Sequence, residues 1–140
     1  KDLPSRLHAR RQMLKVLTPV VEVPDTGISG LPISESDFIL LCNVVAHEAG
    51  SYWIGPYEKA YVAEVVMNRV NSPLYPNTIY GVLTQPYQFS GSGAYVNLGT
   101  YSGYVTEAVK EAVMLYFTEP DSFTQGYLSF YGDGYRNYFR

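Results

Sequence analysis

The sequence predicts an α+β domain that is mainly helical and ends in a small β-hairpin. Apolar residues recur at helical spacing in residues 36–49, 56–70 and 104–118. The tail holds two short aromatic-rich runs on either side of Gly132-Asp133-Gly134, which is typical of a tight hairpin turn. With 140 residues, 46% of them hydrophobic, the chain is long enough for one domain with its own core.

The first helix is the most apolar and is predicted to be central. Ser34 or Ser36 can cap its start, and Gly50 is a natural residue to end it. Its other faces are apolar too, which is typical of a helix surrounded by the rest of the fold. One helical face is formed by Phe38, Leu41, Cys42, Val45 and Ala49.

The next two helices have clear boundaries. Pro56 suits the first turn of the second helix, and Asn71-Ser72-Pro73 ends it. Thr78 is expected to cap a short helical turn over residues 79–83. The Gly, Ser and Tyr residues that follow, in residues 90–103, suggest a mobile flap.

Residues 1–33 are predicted to be an N-terminal arm or linker, and residues 34–140 the domain itself. Several Pro and Gly residues between positions 18 and 32 interrupt any regular element there. Because the chain begins with Lys1 rather than Met, we expect a processed or trimmed fragment, from which a signal peptide could have been removed.

Composition excludes some classes of partner. The net charge of −3 and the lack of a basic cluster beyond residues 6–15 argue against nucleic acid. No apolar run is long enough to span a membrane. The single cysteine, Cys42, is expected to be a small buried hydrophobe. Fourteen Tyr residues suit either a groove that stacks on sugars or an aromatic core with Tyr at its rim. We expect a monomer.

Glu48 is the candidate catalytic residue, because it ends the apolar first helix. Burial and the negative end of a helix both disfavour its charged form, so both raise its pKa. A carboxylic acid that stays protonated near neutral pH is what a general acid requires. The alternative, a carboxylate turned out to solvent at a frayed helix end, is equally compatible with these features.

Other chemistries fail on residue type and spacing. The pair His47-Glu48 begins the zinc motif H-E-x-x-H, but position 51 is Ser, and the second His of the chain, His8, lies in the arm. No zinc site can be assembled from these residues, and we expect no metal and no cofactor. Cys42 and His47 point apart on one helix, which argues against a Cys-His enzyme. No nucleophile elbow and no phosphate-binding loop is present.

A mechanism with one carboxylate fits the small number of acids. Glu58 and Glu64 are the only other acids between Asp37 and Glu107. Glu58 suits the first turn of the second helix, and Glu64 is expected to face outward. Asp133 is the best second carboxylate, although a role in the hairpin turn is the stronger interpretation for an Asp-Gly pair.

Four segments of the chain resemble the spore-cortex-lytic and cell-wall hydrolase family of Gram-positive bacteria. The order of these segments is more specific than any one of them. They are AHEAG (residues 46–50), AEVVMNRV (63–70), the run from SP (72–73) to PNTIYGV (76–82), and QPYQFS (85–90).

The resemblance implies a lysozyme-like domain with a groove for peptidoglycan glycan strands. It also implies cleavage of the β-1,4 bond between N-acetylmuramic acid and N-acetylglucosamine. Glu48 occupies the first Glu of the family's E-A-x-G-E segment. In the lytic transglycosylase version this Glu protonates the leaving oxygen and then takes a proton from the muramic C6 hydroxyl, giving a 1,6-anhydro product. The location implied is secreted, at the cell wall or spore cortex.

The chain departs from the family pattern beside Glu48. The second Glu of E-A-x-G-E is missing, and SYWIG (residues 51–55) forms a slightly longer loop there. Lys59 stands where family members often have Gly, and Tyr87 replaces a small residue. Trp53, with Tyr52, is either a sugar-stacking replacement for that Glu or a plug under the loop.

Further substrate-binding candidates are Gln88 and Ser90, for the N-acetyl group or a hydroxyl, and Tyr95 and Tyr131, as groove residues. Two alternatives to the transglycosylase remain. One is a hydrolytic muramidase or glucosaminidase of the same fold that uses water and Asp133. The other is a peptidoglycan-binding module that has lost catalysis, since the second Glu is absent.

Overall fold

The computed structural model describes residues 30–140 and confirms the mainly helical α+β class. Four α-helices are followed by two antiparallel strands, with single 3-10 turns at Ser92–Ala94 and Pro120–Ser122. The elements are α1 (Glu35–Ala49), α2 (Pro56–Val70), α3 (Ile79–Leu83), α4 (Glu107–Thr118), β1 (Phe130–Gly132) and β2 (Asn137–Phe139). The arm predicted for residues 1–33 lies almost entirely outside the described residues. Of its last four residues, Ile33 is buried in the core.

The helix boundaries follow the capping residues. The Ser34 hydroxyl accepts a hydrogen bond from the Asp37 backbone N–H at 3.2 Å, which fixes the start of α1. The third long helix was predicted from residue 104, but it begins at Glu107. Thr106 takes the capping position and accepts from the Val109 N–H at 3.2 Å. A hydroxyl that satisfies an unpaired N–H sets the boundary more strongly than the apolar pattern does.

Helix α1 lies at the centre of the core, as its sequence predicted. Leu41, Val44 and Val45 are completely shielded from solvent, and α1 contacts α2, α3 and α4. Cys42 is buried on the same helix, and burial raises the pKa of its thiol to about 12. The thiol therefore stays protonated and behaves as the small hydrophobe that the sequence suggested.

The outward orientation expected for Glu64 is wrong. This side chain, on α2, is 0% exposed, and no group of residues 30–140 makes a hydrogen bond of good geometry with its carboxyl oxygens. Burial raises its pKa, and the nearby Gly126 backbone N–H and Asn68 side chain lower it by less. Helix α2 packs against both α1 and α4, and the segment around Gly126 lies against Glu64, so this position is covered.

The last turn of α2 holds the chain that leads into the hairpin. The Asn68 side chain donates to the Tyr127 carbonyl at 2.8 Å, and the Arg69 guanidinium donates to the Leu128 carbonyl at 2.7 Å. Strand β1 then pairs with β2, with Gly132 opposite Asn137. Helix α2 thereby fixes where the hairpin lies relative to the end of α1.

The predicted flap, residues 90–103, is tied to α1. The Asn43 side chain is buried, donates to the Thr100 carbonyl at 3.1 Å and accepts from the Ser102 N–H at 2.8 Å. Tyr95 and Val96 of the same segment are part of the core. These contacts anchor the segment at both its middle and its end, which disagrees with a flap that swings freely.

Candidate active site

A cavity of about 330 Å³ lies between the end of α1, the loop that follows it and the hairpin. Glu48 is the one carboxyl side chain among its lining residues. The hairpin of β1 and β2 therefore forms the wall opposite Glu48. The cavity is lined by Glu48, Ser51, Ile54, Gly132, Gly134, Tyr135, Arg136 and Asn137.

Glu48 combines partial burial with a free carboxyl group. It lies one residue before the end of α1 and is half-buried. Among residues 30–140, no group forms a hydrogen bond or ion pair with its carboxyl oxygens. Burial raises the pKa of Glu48, and the neighbouring His47 charge lowers it by less. Such a group can hold a proton at a higher pH than an ordinary Glu, which suits a general acid.

The backbone of Glu48 is fixed by the hairpin. The Asn137 side-chain amide donates to the Glu48 carbonyl at 3.0 Å, so one unpaired carbonyl at the end of α1 gains a partner. The Asn137 backbone N–H donates to the Glu58 carboxylate at 2.8 Å, and Arg136 lies 3.5 Å from the same carboxylate. Glu58 is thus occupied by the hairpin.

Gly132 leaves the space that Asn137 needs. A Cβ atom at Gly132 would lie 2.8 Å from the Asn137 side-chain oxygen, which is too close for a real contact. The two residues are cross-strand partners. A glycine at this position therefore allows Asn137 to reach across the strand pair toward α1.

Asp133 holds the hairpin turn. Its carboxylate accepts from the Tyr135 and Arg136 backbone N–H groups at 2.8 and 2.9 Å, and from the Tyr138 hydroxyl at 3.0 Å. These hydrogen bonds lower the pKa of Asp133. The residue does not line the cavity. Its position agrees with the turn role that the sequence favoured and gives no support to a role as the second carboxylate.

Tyr95 lies behind Glu48, in the protein interior. Only 3% of it is exposed, its ring centroid is 5.6 Å from that of His47, and its hydroxyl has no hydrogen-bond partner in the part of the chain that is described. Burial and the Glu48 charge both raise its pKa, so it stays protonated. Tyr95 is near the acid but is not a cavity wall.

Trp53 packs against a residue of the cavity wall, Tyr135, and does not line the cavity itself. Its indole N–H donates to the Tyr135 carbonyl at 2.6 Å, and the two rings are stacked with centroids 5.6 Å apart. Tyr135 itself lines the cavity. Trp53 is not a plug under its loop, because 46% of it is exposed.

The other three predicted binding residues lie away from the cavity wall. Gln88 and Ser90 are exposed, and the Gln88 side chain accepts from the Arg69 guanidinium at 2.9 Å. Tyr131 stacks on Tyr138, on the face of the hairpin opposite Gly132 and Asn137. The structure therefore places Glu48 in the cavity wall, Trp53 against the wall residue Tyr135, and these three residues elsewhere.

Tyr87, which departs from the family pattern, has a strained backbone. Its φ is +64°, in the left-handed region, and its side chain is fully exposed. Glycine adopts this conformation without strain, because it has no Cβ atom. The departure seen in the sequence therefore has a conformational cost, and nothing in the structure explains what offsets it.

The cavity residues that sequence reasoning missed are those of the hairpin turn and the loop after α1. The signal available for the loop was Lys59 in place of Gly, since Lys59 binds two carbonyls of that loop. The hairpin faces depend on the strand register, which the sequence of the tail does not set. Within residues 30–140, no group of His, Cys, Asp or Glu side chains could hold a metal ion. In the same range, every helix is too short or too polar to cross a membrane.

Comparison with known proteins identifies the family. The family model described as Cell Wall Hydrolase matches residues 56–140, which begins after Glu48. The spore cortex-lytic enzyme of Oceanobacillus iheyensis is 32% identical over 120 residues, covering 79% of this chain and 40% of the relative. The spore cortex-lytic enzyme of Bacillus subtilis is 32% identical over 108 residues, covering 68% and 33%. The chain thus spans less than half the length of these curated relatives. No solved structure is a significant match. The chain belongs to the cell wall hydrolase family.

Proposed function

We propose that the domain cleaves the β-1,4 bond between N-acetylmuramic acid and N-acetylglucosamine in peptidoglycan, with Glu48 as general acid and then base. The observation that carries this proposal is the free, half-buried Glu48 carboxyl in the cavity wall, with its pKa raised. The two curated relatives of this chain are named as spore cortex-lytic enzymes, which supports a glycan of the cortex or wall as substrate. We propose that the protein acts outside the cell, as a monomer.

The reaction needs one proton and one carboxyl group. Protonated Glu48 gives its proton to the glycosidic oxygen as the C1–O bond breaks, and the neighbouring acetamido carbonyl stabilises the cation at C1. The Glu48 carboxylate then takes the proton from the muramic C6 hydroxyl, whose oxygen closes on C1. The products are a 1,6-anhydro sugar and a free 4-hydroxyl, and no water is consumed.

The hydrogen bonds and ion pair of Glu58 and Asp133 support a reaction that uses Glu48 alone. Glu58 binds the Asn137 N–H and Arg136, and Asp133 is held by three donors of the turn. Neither is free to activate a water on the far side of a sugar ring. The hydrolytic alternative would require one of them to leave its partners, or a water activated by Glu48 itself.

Mass spectrometry of digested sacculi tests the proposed reaction. We expect muropeptides that end in 1,6-anhydro-N-acetylmuramic acid, each lighter by one water than the corresponding hydrolysis product. Reducing ends on muramic acid would instead support a muramidase, and reducing ends on glucosamine a glucosaminidase. Binding to sacculi without any released fragment would support a module that has lost catalysis.

Replacing His47 by glutamine should move the pH dependence of the reaction. The rate is expected to fall as pH rises through the Glu48 pKa, because a deprotonated acid cannot protonate the leaving oxygen. The His47 charge lowers that pKa, so its removal should raise the pKa and move the falling limb of kcat/KM to higher pH. The control Lys110→Gln removes a positive charge from α4, outside the cavity, and should leave the limb in place. If the falling limb of His47→Gln stays at the wild-type pH or moves to lower pH, its assignment to Glu48 is contradicted.

A further inference from the structure

Three exposed aromatic rings contact one another in a row that ends at the Glu48 cavity. Tyr52 is 92% exposed and meets Trp53 edge to face, with centroids 5.3 Å apart. Trp53 stacks on Tyr135 with 14° between the ring planes. Tyr135 lines the cavity, so this aromatic surface, formed by Tyr52, Trp53 and Tyr135, continues directly from the proposed catalytic site.

The surface is held in place from beneath by a buried cation. Lys59 is only 2% exposed, and its ammonium donates to the Ser51 carbonyl at 2.7 Å and to the Ile54 carbonyl at 2.9 Å. These two carbonyls lie immediately before and after the Tyr52-Trp53 pair. Burying an ammonium costs free energy, and burial lowers the pKa of Lys59. This free-energy cost of burying Lys59 arises at the loop that exposes Tyr52 and Trp53 to solvent.

The groups that the aromatic surface exposes can bind a sugar ring. The Trp53 N–H is already bound to the Tyr135 carbonyl, so ring faces and edges and the Tyr52 hydroxyl remain for a ligand. Pyranose rings offer an apolar C–H face and polar edges, which matches amphipathic aromatic side chains. A loop that is fixed before binding loses little conformational entropy when a ligand is bound.

We propose that Tyr52, Trp53 and Tyr135 form an additional glycan subsite that makes the enzyme prefer long glycan strands to short fragments. The proposal rests on the proposed function, because the strand in the subsite is the one cleaved at Glu48. In this proposal the sugar units on the surface lie beyond those held in the cavity, so a strand trimmed close to the scissile bond ends before the surface. Binding free energy from this remote contact then lowers KM for polymers and does not affect fragments that end before it.

Strand-length dependence of the kinetics tests the subsite. The substrates are peptide-free glycan strands, either polymeric or trimmed to two disaccharide units. Trp53→Ala should raise KM about tenfold on the polymer, as expected for loss of one aromatic contact, and change kcat/KM on the short substrate less than about twofold. Trp53→Phe, which keeps a ring, should restore most of the preference. Tyr104→Ala removes a comparably exposed Tyr outside the surface and should change neither substrate.

Lys59 is tested as a positioning residue for the same surface. Lys59→Met removes both carbonyl contacts and should raise KM on the polymer about threefold, with kcat on the short substrate retained. An equal loss on both substrates would show a merely structural role. If Trp53→Ala lowers kcat/KM equally on both substrates, or on neither, the proposed subsite is wrong.

A binding measurement separates this proposal from the proposed function. Glu48→Gln should bind the polymeric glycan by calorimetry, and adding Trp53→Ala should weaken that binding about tenfold. If the wild type releases no fragments but binding still depends on Trp53, the subsite holds and the catalytic proposal fails. If the wild type cleaves sacculi and Trp53→Ala binds the polymer normally, the subsite fails and the catalytic proposal holds.

Discussion

Glu48→Gln is expected to reduce the release of fragments from sacculi by about 10³-fold or more, because it removes the group that donates and then accepts the proton. Glutamine keeps the size and polarity of the side chain but cannot protonate a glycosidic oxygen. The half-buried position makes this exchange mild for folding, since the carboxyl has no hydrogen bond to lose within residues 30–140. Affinity for peptide-free glycan strands should therefore stay within about threefold of the wild type.

The matched control is Glu111→Gln, which makes the same exchange at an exposed position of α4. It should retain full activity, as judged by the same release assay, and both variants should have wild-type thermal unfolding. Turnover that survives in Glu48→Gln would refute Glu48 as the acid. Lost activity accompanied by lost glycan binding would instead indicate a binding role for this side chain.

The elements of the fold were predictable because their signals are local. Ser34 and Thr78 are both found at helix starts, where their hydroxyls accept a hydrogen bond from a backbone N–H three residues later. Pro56 begins α2, and Asp133 with its flanking glycines forms the hairpin turn. Each of these features depends on a few consecutive residues, so reading along the chain is sufficient to find them.

The wall opposite Glu48 was not predictable in the same way. Asn137 contacts the Glu48 carbonyl across 89 positions and Glu58 across 79, and no local pattern reports such pairs. Tyr131 was expected in the groove, yet the pairing of Gly132 with Asn137 places Tyr131 on the other face of the hairpin. A change of one residue in register would reverse these faces, which is why the composition of the tail alone could not decide between them.

The burial of Glu64 was not predictable for a different reason. A single acid among valines suggests one polar side of a helix, but α2 is covered by α1, α4 and the segment around Gly126. Whether a face is open depends on which other elements pack there, and that depends on the whole topology. Glu48, the proposed catalytic acid, and the buried Glu64 have similar apolar neighbours in the sequence. The cavity beside Glu48 is what distinguishes the two.

Asn137→Ala is expected to lower kcat by about 10- to 100-fold while leaving KM nearly unchanged. The substitution removes the donor to the Glu48 carbonyl and with it the direct link between the hairpin and the end of α1. A catalytic group displaced by about 1 Å loses activity on this scale, because the proton must pass along a short, aligned path. The aromatic surface of Tyr52, Trp53 and Tyr135 is untouched, so binding of the strand should be retained.

Stability measurements show whether this effect is local. Loss of one partly buried hydrogen bond should reduce the free energy of unfolding by about 1 kcal/mol, too little to unfold the domain. The control Asn97→Ala removes an exposed hydrogen bond, in which Asn97 accepts from the Tyr80 hydroxyl, and should leave kcat unchanged. If Asn137→Ala loses stability but keeps its kcat, the hairpin serves only the fold. If kcat falls in a domain that remains folded, positioning of Glu48 by the hairpin is part of catalysis, and the acid and the strand pair form one functional unit.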